Sequence, residues 1–147
     1  MKDFLTLEKQ LCFAIYQTSS EFTKLYSSVL QPFGLTYPQY LLLLALWEKD
    51  GVTVKELGQT VNLGTGTLTP MLTRMEANGW LRKERSQSDA RTVHISLQAK
   101  ARNAKQAITE KIAVEIQACQ IDMEEYSQLM QGLKGLQEKL KGQIELK

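Results

Sequence analysis

Apolar residues recur at helical spacing from the first turns of the chain. Leu7, Leu11, Ile15 and Phe22 lie four or seven residues apart and fall on one helix face. The pattern predicts a first helix from about Thr6 to Leu30, ended by Pro32 and Gly34. A second helix starts in "TYPQYLLLLALW". Thr36 can cap it, Pro38 suits its first turn, and Gln39 completes a capping box. Its apolar run is continuous, so this helix should be buried on most sides until Asp50-Gly51 stops it. "TVKELGQTV" predicts a short third helix, with Thr53 and Glu56 as a second capping box and Leu57 and Val61 facing inward. After the turn "NLGTG", a fourth helix carries Leu68, Met71, Leu72 and Met75 as its inner stripe. Thr65 or Thr67 is its expected cap, and Asn78-Gly79 its stop.

The period then changes. "WLRKER" and "RTVHISL" read as two strands, with Val93 and Ile95 alternating against Thr92, His94 and Ser96 around the polar turn "SQSDA". Two short helices joined by a Gly-containing turn are a helix-turn-helix, and a basic hairpin after it makes a winged helix. From Ala99 onward there is no proline. Ala104, Ile108, Ile112 and Ile116 form one stripe of a fifth helix to about Cys119. Asp122 then caps a sixth through Tyr126, Leu129, Met130, Leu133, Leu136 and Leu140. The winged domain is too small to cover these faces, which predicts a two-fold dimer. The expected class is mainly α with a small β-hairpin wing: a winged helix-turn-helix with N- and C-terminal dimerisation helices.

Composition narrows the function classes. The chain has 147 residues, 43% apolar and 23% charged, as in an ordinary globular protein with one core. The run Tyr40 to Trp47 is too short to span a bilayer. "MKDFLTLEKQ" carries no apolar signal core or small-residue cleavage site, so a cytoplasmic protein is expected. Net charge is +2, but eight basic residues between Arg74 and Lys105 face three acids. Such a local excess is the footprint of a nucleic-acid contact, or else a solvated charged surface. Cys12 and Cys119 lie too far apart for a CxxC pair, and His94 is the only histidine, so no metal site or cofactor is expected. Two buried inert thiols are one reading of the cysteines.

On the fourth helix Thr65, Thr67, Thr69 and Arg74 lie away from the leucines. They can cap the helix or reach bases and phosphates. In the hairpin, Arg85, Asp89 and Arg91 stand out. A wing arginine can enter a minor groove, with the aspartate orienting it, or the group is a surface ion pair of little worth.

Taken together, "QLCFAIY", "LTYPQYLLLLALWE", "TVKELG", "GTLTPMLTRME" and "RSQSDARTVHISL" resemble the MarR family of winged-helix regulators, and within it the organic-hydroperoxide-sensing OhrR branch. The segments cover about Leu7 to Leu97 in unbroken order. The resemblance implies a single domain over 1–147, with dimerisation helices at 6–31 and 98–147 and the winged helix-turn-helix at 37–97. It implies a homodimeric repressor of near-palindromic operator DNA, with organic hydroperoxide as oxidant. Cys12 takes the place of the sensing thiol. Tyr26 and Tyr37 match tyrosines whose hydroxyls reach that thiol across the dimer, and Tyr16 is a further aromatic near it. Hydrogen bonds from hydroxyls stabilise a thiolate, which is the nucleophilic form. Cys119 matches the second cysteine of two-cysteine relatives, which implies an intersubunit disulfide with Cys12 and release of DNA. The DNA role falls on Thr65 to Arg74 and on Asp89 and Arg91.

Three departures stand against the pattern. Gly64-Thr65 replaces the usual Asp-Ser, "DAR" replaces "DER" in the wing, and "LQAKA" replaces "LTEAG". Two other functions compete. One is a MarR-type regulator responding to a phenolic or other small ligand in a pocket under the wing, with structural cysteines. The other is a thiol peroxidase using Cys12, which would leave the basic hairpin without a role.

Overall fold

The computed structural model describes residues 2–147, with side chains from Phe4 onward; Met1, at the start of the segment read for a targeting signal, lies outside them. The backbone divides into two compact units, Met1–Ile112 and Ala113–Lys147. The first holds helices α1 (Leu11–Leu30), α2 (Tyr37–Glu48), α3 (Val54–Val61) and α4 (Thr65–Ala77). Three strands belong to it as well: β1 (Val52–Thr53), β2 (Leu81–Arg85) and β3 (Val93–Leu97). Helix α5 (Ala99–Ala118) begins in the first unit and ends in the second, which also contains α6 (Met123–Glu145).

Two predicted capping boxes form as written. The Thr36 hydroxyl accepts the Gln39 N–H at 3.3 Å, and the Gln39 side chain accepts the Thr36 N–H at 3.1 Å. Thr53 and Glu56 exchange the same pair of bonds at the start of α3, at 3.1 and 3.4 Å. Asp122 caps α6 by accepting the Glu125 N–H at 2.8 Å. Each satisfies donors that the first helical turn leaves without a partner.

Two predicted boundaries are corrected. Helix α1 begins at Leu11, not Thr6. Short 3-10 turns occupy Lys2–Leu5 and Leu7–Lys9, and Gln10 is extended (φ −79, ψ 123). Thr6 supplies no cap bond there, so Leu7 falls out of register with Leu11 although its spacing is helical. Neither Thr65 nor Thr67 caps α4. Asn62 ends α3 in the left-handed region (φ 58), and the turn is so short that Gly64 is the last extended residue. Thr65 is already helical, and the N-cap has no side chain to offer.

The sheet has the order β1-β3-β2, all antiparallel. Strand β2 starts at Leu81 rather than Trp80, and Leu81 faces Leu97 while Arg85 faces Val93. Strand β1 carries no signal in the sequence, because two residues show no alternation. It pairs Val52 with Ile95 and fixes the start of α3 to the wing. Asp50 adds to this tie: its carboxylate accepts the Leu97 N–H at 2.9 Å and the Gly51 N–H at 2.8 Å.

The core of this unit is continuous. Leu30, Leu42, Leu43, Leu46, Leu57, Leu68, Leu72, Met75, Trp80, Leu81, Ile95 and Ile108 are each almost wholly removed from solvent. The α2 run is buried on several sides, as its sequence suggested, and Ile108 and Ile112 carry the α5 stripe into the core. On α6 no residue is buried, and Tyr126, Leu129, Met130, Leu133 and Leu140 stay exposed in the single chain.

The capping geometry sets a stability contrast. Thr53→Ala removes a cap hydrogen bond and is expected to cost about 1 kcal/mol in urea unfolding. Thr65→Ala removes no cap and should change stability by less than about 0.5 kcal/mol. Equal losses would mean that Thr65 caps α4 after all.

Candidate nucleic-acid interface and thiol positions

Helix α4, the start of α3 and the wing enclose a cleft of about 660 Å³. Its lining includes Lys55, Thr65, Thr69, Lys83, Arg85 and Arg91. The structure thus brings Thr65 and Thr69 of α4 together with Arg85 and Arg91 of the wing. Thr67 and Arg74 are exposed on α4 but do not line the cleft. Lys55 and Lys83 join the cleft with no motif in the sequence to mark them. Lys83 lay within the basic window, whereas Lys55 lay outside it and gave no signal until the fold closed.

The wing turn is built from hydrogen bonds. The Asp89 carboxylate accepts the Arg91 backbone N–H at 3.0 Å and the Thr92 hydroxyl at 3.1 Å. Backbone bonds from Ser86 to Thr92 and from Thr92 to Asp89 close the loop. Arg85 donates from its guanidinium to the Ala90 carbonyl at 2.9 Å. Asp89 thus holds Arg91 through its backbone, and the alternative of a surface ion pair with either arginine is not found among the described residues. Arg91 is exposed, and no salt bridge to its guanidinium is found among the described residues. The Arg82–Glu84 pair, at 3.9 Å and well exposed, adds little.

Both cysteines are exposed thiols, which corrects the reading of them as buried and inert. Cys12 is the second residue of α1, where first-turn N–H groups favour negative charge. Its Sγ lies 3.8 Å from the Gln10 side-chain oxygen. Tyr16 stands one turn on, 70% exposed, and stacks with Phe13 at 6.4 Å. Cys119 follows the last residue of α5, its thiol 3.4 Å from the Glu115 carbonyl.

The other two tyrosines belong to a separate cluster. Tyr26 on α1 and Tyr37 at the start of α2 stack at 5.0 Å, and Tyr40 tilts against Tyr26 at 5.8 Å. Tyr26 follows Cys12 by four helical turns, a rise of about 21 Å. Within one chain these phenols cannot reach the Cys12 thiol. Tyr40, inside an apolar run, carries no mark of its own in the sequence and is buried. Burial pushes its phenol above the ordinary 10.0, and the neighbouring Tyr37 phenol adds to the shift.

A helix-turn-helix whose second helix forms one wall of a cation-lined cleft with a two-stranded wing is the architecture of a DNA-binding regulator. Comparison with known proteins agrees. The sequence profile of the SarA/Rot transcriptional regulators, also winged-helix proteins, matches residues 24–108. The organic hydroperoxide resistance transcriptional regulator of Bacillus subtilis is 52% identical over 95 residues, 65% of each chain. The regulator SarZ of Staphylococcus saprophyticus is 40% identical over 104 residues, 71% of each chain. Among solved structures, reduced AbfR bound to DNA superposes with a TM-score of 0.84 at 38% identity, over 94% of both chains. The disulfide form of AbfR, a Staphylococcus epidermidis protein, gives 0.67 at 40% identity, over 95% of this chain and 92% of that one. The match spans 65% of the length of the Bacillus relative and 51% of the Methylorubrum extorquens regulator TtmR. The chain belongs to the MarR family of winged-helix transcriptional regulators, in its OhrR-like branch.

The buried phenol generates a pH prediction. A raised pKa in the fold means that the unfolded chain ionises first as pH rises. The associated stability is full below the ordinary value of 10.0 and is lost as pH climbs through the folded value. Between about pH 9 and about pH 11, wild type should lose urea resistance more steeply than Tyr40→Phe. Parallel curves would show that Tyr40 ionises as freely in the fold as outside it.

Proposed function

We propose that this regulator is an organic-hydroperoxide-responsive repressor, acting in the cytoplasm and binding near-palindromic operator DNA as a homodimer. The observation that carries the reading is the pairing of the basic winged helix-turn-helix with an exposed thiol, Cys12, on a helix whose apolar face is uncovered. The identity to a hydroperoxide resistance regulator supports the oxidant. The reduced, DNA-bound and disulfide structures of AbfR support a thiol switch in a relative.

In the proposed reaction the Cys12 thiolate attacks the outer oxygen of the hydroperoxide. An S–O bond forms, the O–O bond breaks, and the alcohol leaves after taking a proton. The sulfenic acid condenses with the partner subunit's Cys119, forming S–S and releasing water. Tyr16 flanks the thiol from its own chain. Tyr26 and Tyr37 act on a Cys12 of the other chain, since about 21 Å of helix separates Tyr26 from the thiol of its own chain. On DNA, α4 presents Thr65, Thr67, Thr69 and Arg74 to the major groove. The wing, shaped by Arg85 and Asp89, places Arg91 at the minor groove or its phosphates. Half-sites lie about 10 bp apart.

A gel shift on the DNA upstream of the chain's own coding sequence tests the reading. Wild type should bind and be released by cumene hydroperoxide, while Cys12→Ser should bind and stay bound. Oxidised wild type should run as a dimer on non-reducing denaturing gels, and Cys119→Ser as a monomer. Release of Cys12→Ser by the oxidant would place the sensor elsewhere.

The wing arginine has its own signature. Arg91→Ala should weaken operator binding with little change in stability, because the side chain is exposed. Its plot of log affinity against log salt should be shallower by about 0.9 for each phosphate that Arg91 neutralises. An unchanged affinity and slope would remove the wing tip from the interface.

A further inference from the structure

Strand β2 is an edge strand, since the sheet runs β1-β3-β2. A backbone N–H on its outer side needs an acceptor that no strand supplies. At Lys83 that acceptor is the Glu76 carboxylate, 2.7 Å from the amide nitrogen. Glu76 lies in the last turn of α4 and is half-buried. A second bond runs beside the first. The Lys83 ammonium donates to the Thr73 hydroxyl at 2.9 Å, and that hydroxyl donates to the Thr69 carbonyl at 3.0 Å. Lys83 is held at its backbone and at its tip by two residues three apart on one face of α4.

The presence of Glu76 is otherwise unfavourable. It lines a cleft shared with Lys55, Lys83, Arg85 and Arg91, and its charge opposes any phosphate that enters. A water could satisfy the Lys83 amide equally well, but it would not join the strand to the helix. We propose that Glu76 and Lys83 form a brace that fixes the wing's angle to α4, making Glu76 a positioning residue for the contact of Arg91 with DNA. This rests on the DNA-binding reading above. From Lys83 the strand runs two residues to Arg85, which holds the Ala90 carbonyl, and Arg91 comes next. A change of tilt at Lys83 is therefore carried to the wing tip.

The test compares Glu76→Gln with Glu76→Ala, using a duplex selected by wild-type protein from a random-sequence pool. Both variants lose the negative charge, so the charge effect cancels between them. Glutamine keeps an oxygen for the Lys83 N–H and alanine does not, while both suit a helix. Glu76→Ala should bind about fivefold more weakly than Glu76→Gln, the worth of one net hydrogen bond. The decisive readout is Arg91→Ala placed in each background. Its full effect on affinity should appear with Glu76→Gln and largely vanish with Glu76→Ala, because a misplaced wing already reaches little of the DNA. The same effect in both backgrounds, or equal binding by the Gln and Ala variants, overturns the brace and leaves DNA binding standing. A wild type that selects no duplex overturns both.

Discussion

A Cβ at Gly58 would stand 2.9 Å from the Leu63 carbonyl and 3.4 Å from a Leu68 methyl. Only a residue without a side chain lets α3 approach the turn and α4 this closely. The Leu63 N–H then bonds back to the Gly58 carbonyl at 2.9 Å, and Asn62 takes the left-handed conformation that ends α3. This close approach determines where α4 begins and which way it points. Leu68, Leu72 and Met75 follow into the core, and Thr65 and Thr69 are turned outward to the cleft. Any larger residue at position 58 would push the two helices apart and move every basic group on this face with respect to the others.

The wing depends on a different device. It has few buried side chains beyond Leu81, Ile95 and Leu97, so hydrophobic burial fixes only its base. Farther out, order comes from polar groups that close on each other. Asp89 gathers the Arg91 amide and the Thr92 hydroxyl, Arg85 holds Ala90, and Glu76 holds Lys83. Each bond has a charged partner, a class of hydrogen bond worth about 1.5–3 kcal/mol. Together they restrict a loop that would otherwise lose more entropy on meeting a ligand.

Elements with caps and long apolar stripes were legible in the sequence. Thr36, Thr53 and Asp122 are side chains that can form only a few local bonds, and those bonds formed. The hairpin was legible because its period changes to two. The errors share a cause, which is that local pattern does not report what the neighbouring chain does. Leu7 keeps helical spacing, yet Gln10 interrupts the helix. Thr65 follows a glycine and looks like a cap, but the preceding turn uses up the extended residues first. In the site, Arg91 and Thr69 were visible as types in a known order. Lys55 and Glu76 were not, because each joins the cleft through neighbours far apart in sequence. Tyr40 was hidden inside an apolar run, where a phenol reads as one more core residue.

In the proposed mechanism the uncovered faces of α1 and α6 connect stability to sensing. On α1, Leu11 is 59% exposed and Tyr16 70%; on α6, Leu129 is 53% and Leu140 54% exposed. Full burial of one large apolar side chain contributes about 1.5–3 kcal/mol. Association costs about 4–15 kcal/mol, so several such residues from each of two chains offset it. A two-fold interface also uses every face twice. In the proposed dimer the surface that removes Leu11 and Ile15 from water is the one beside Cys12, so oxidation there acts on the interface that holds the two winged units at their spacing. A thiol in a buried core would have no such leverage, and one on the wing would sense DNA rather than oxidant. In the proposed mechanism the place of Cys12 at the start of α1, next to the dimer interface and four turns from Tyr26, makes reactivity conditional on the partner being present. On that proposal the chain alone has the nucleophile, and a second copy completes its environment.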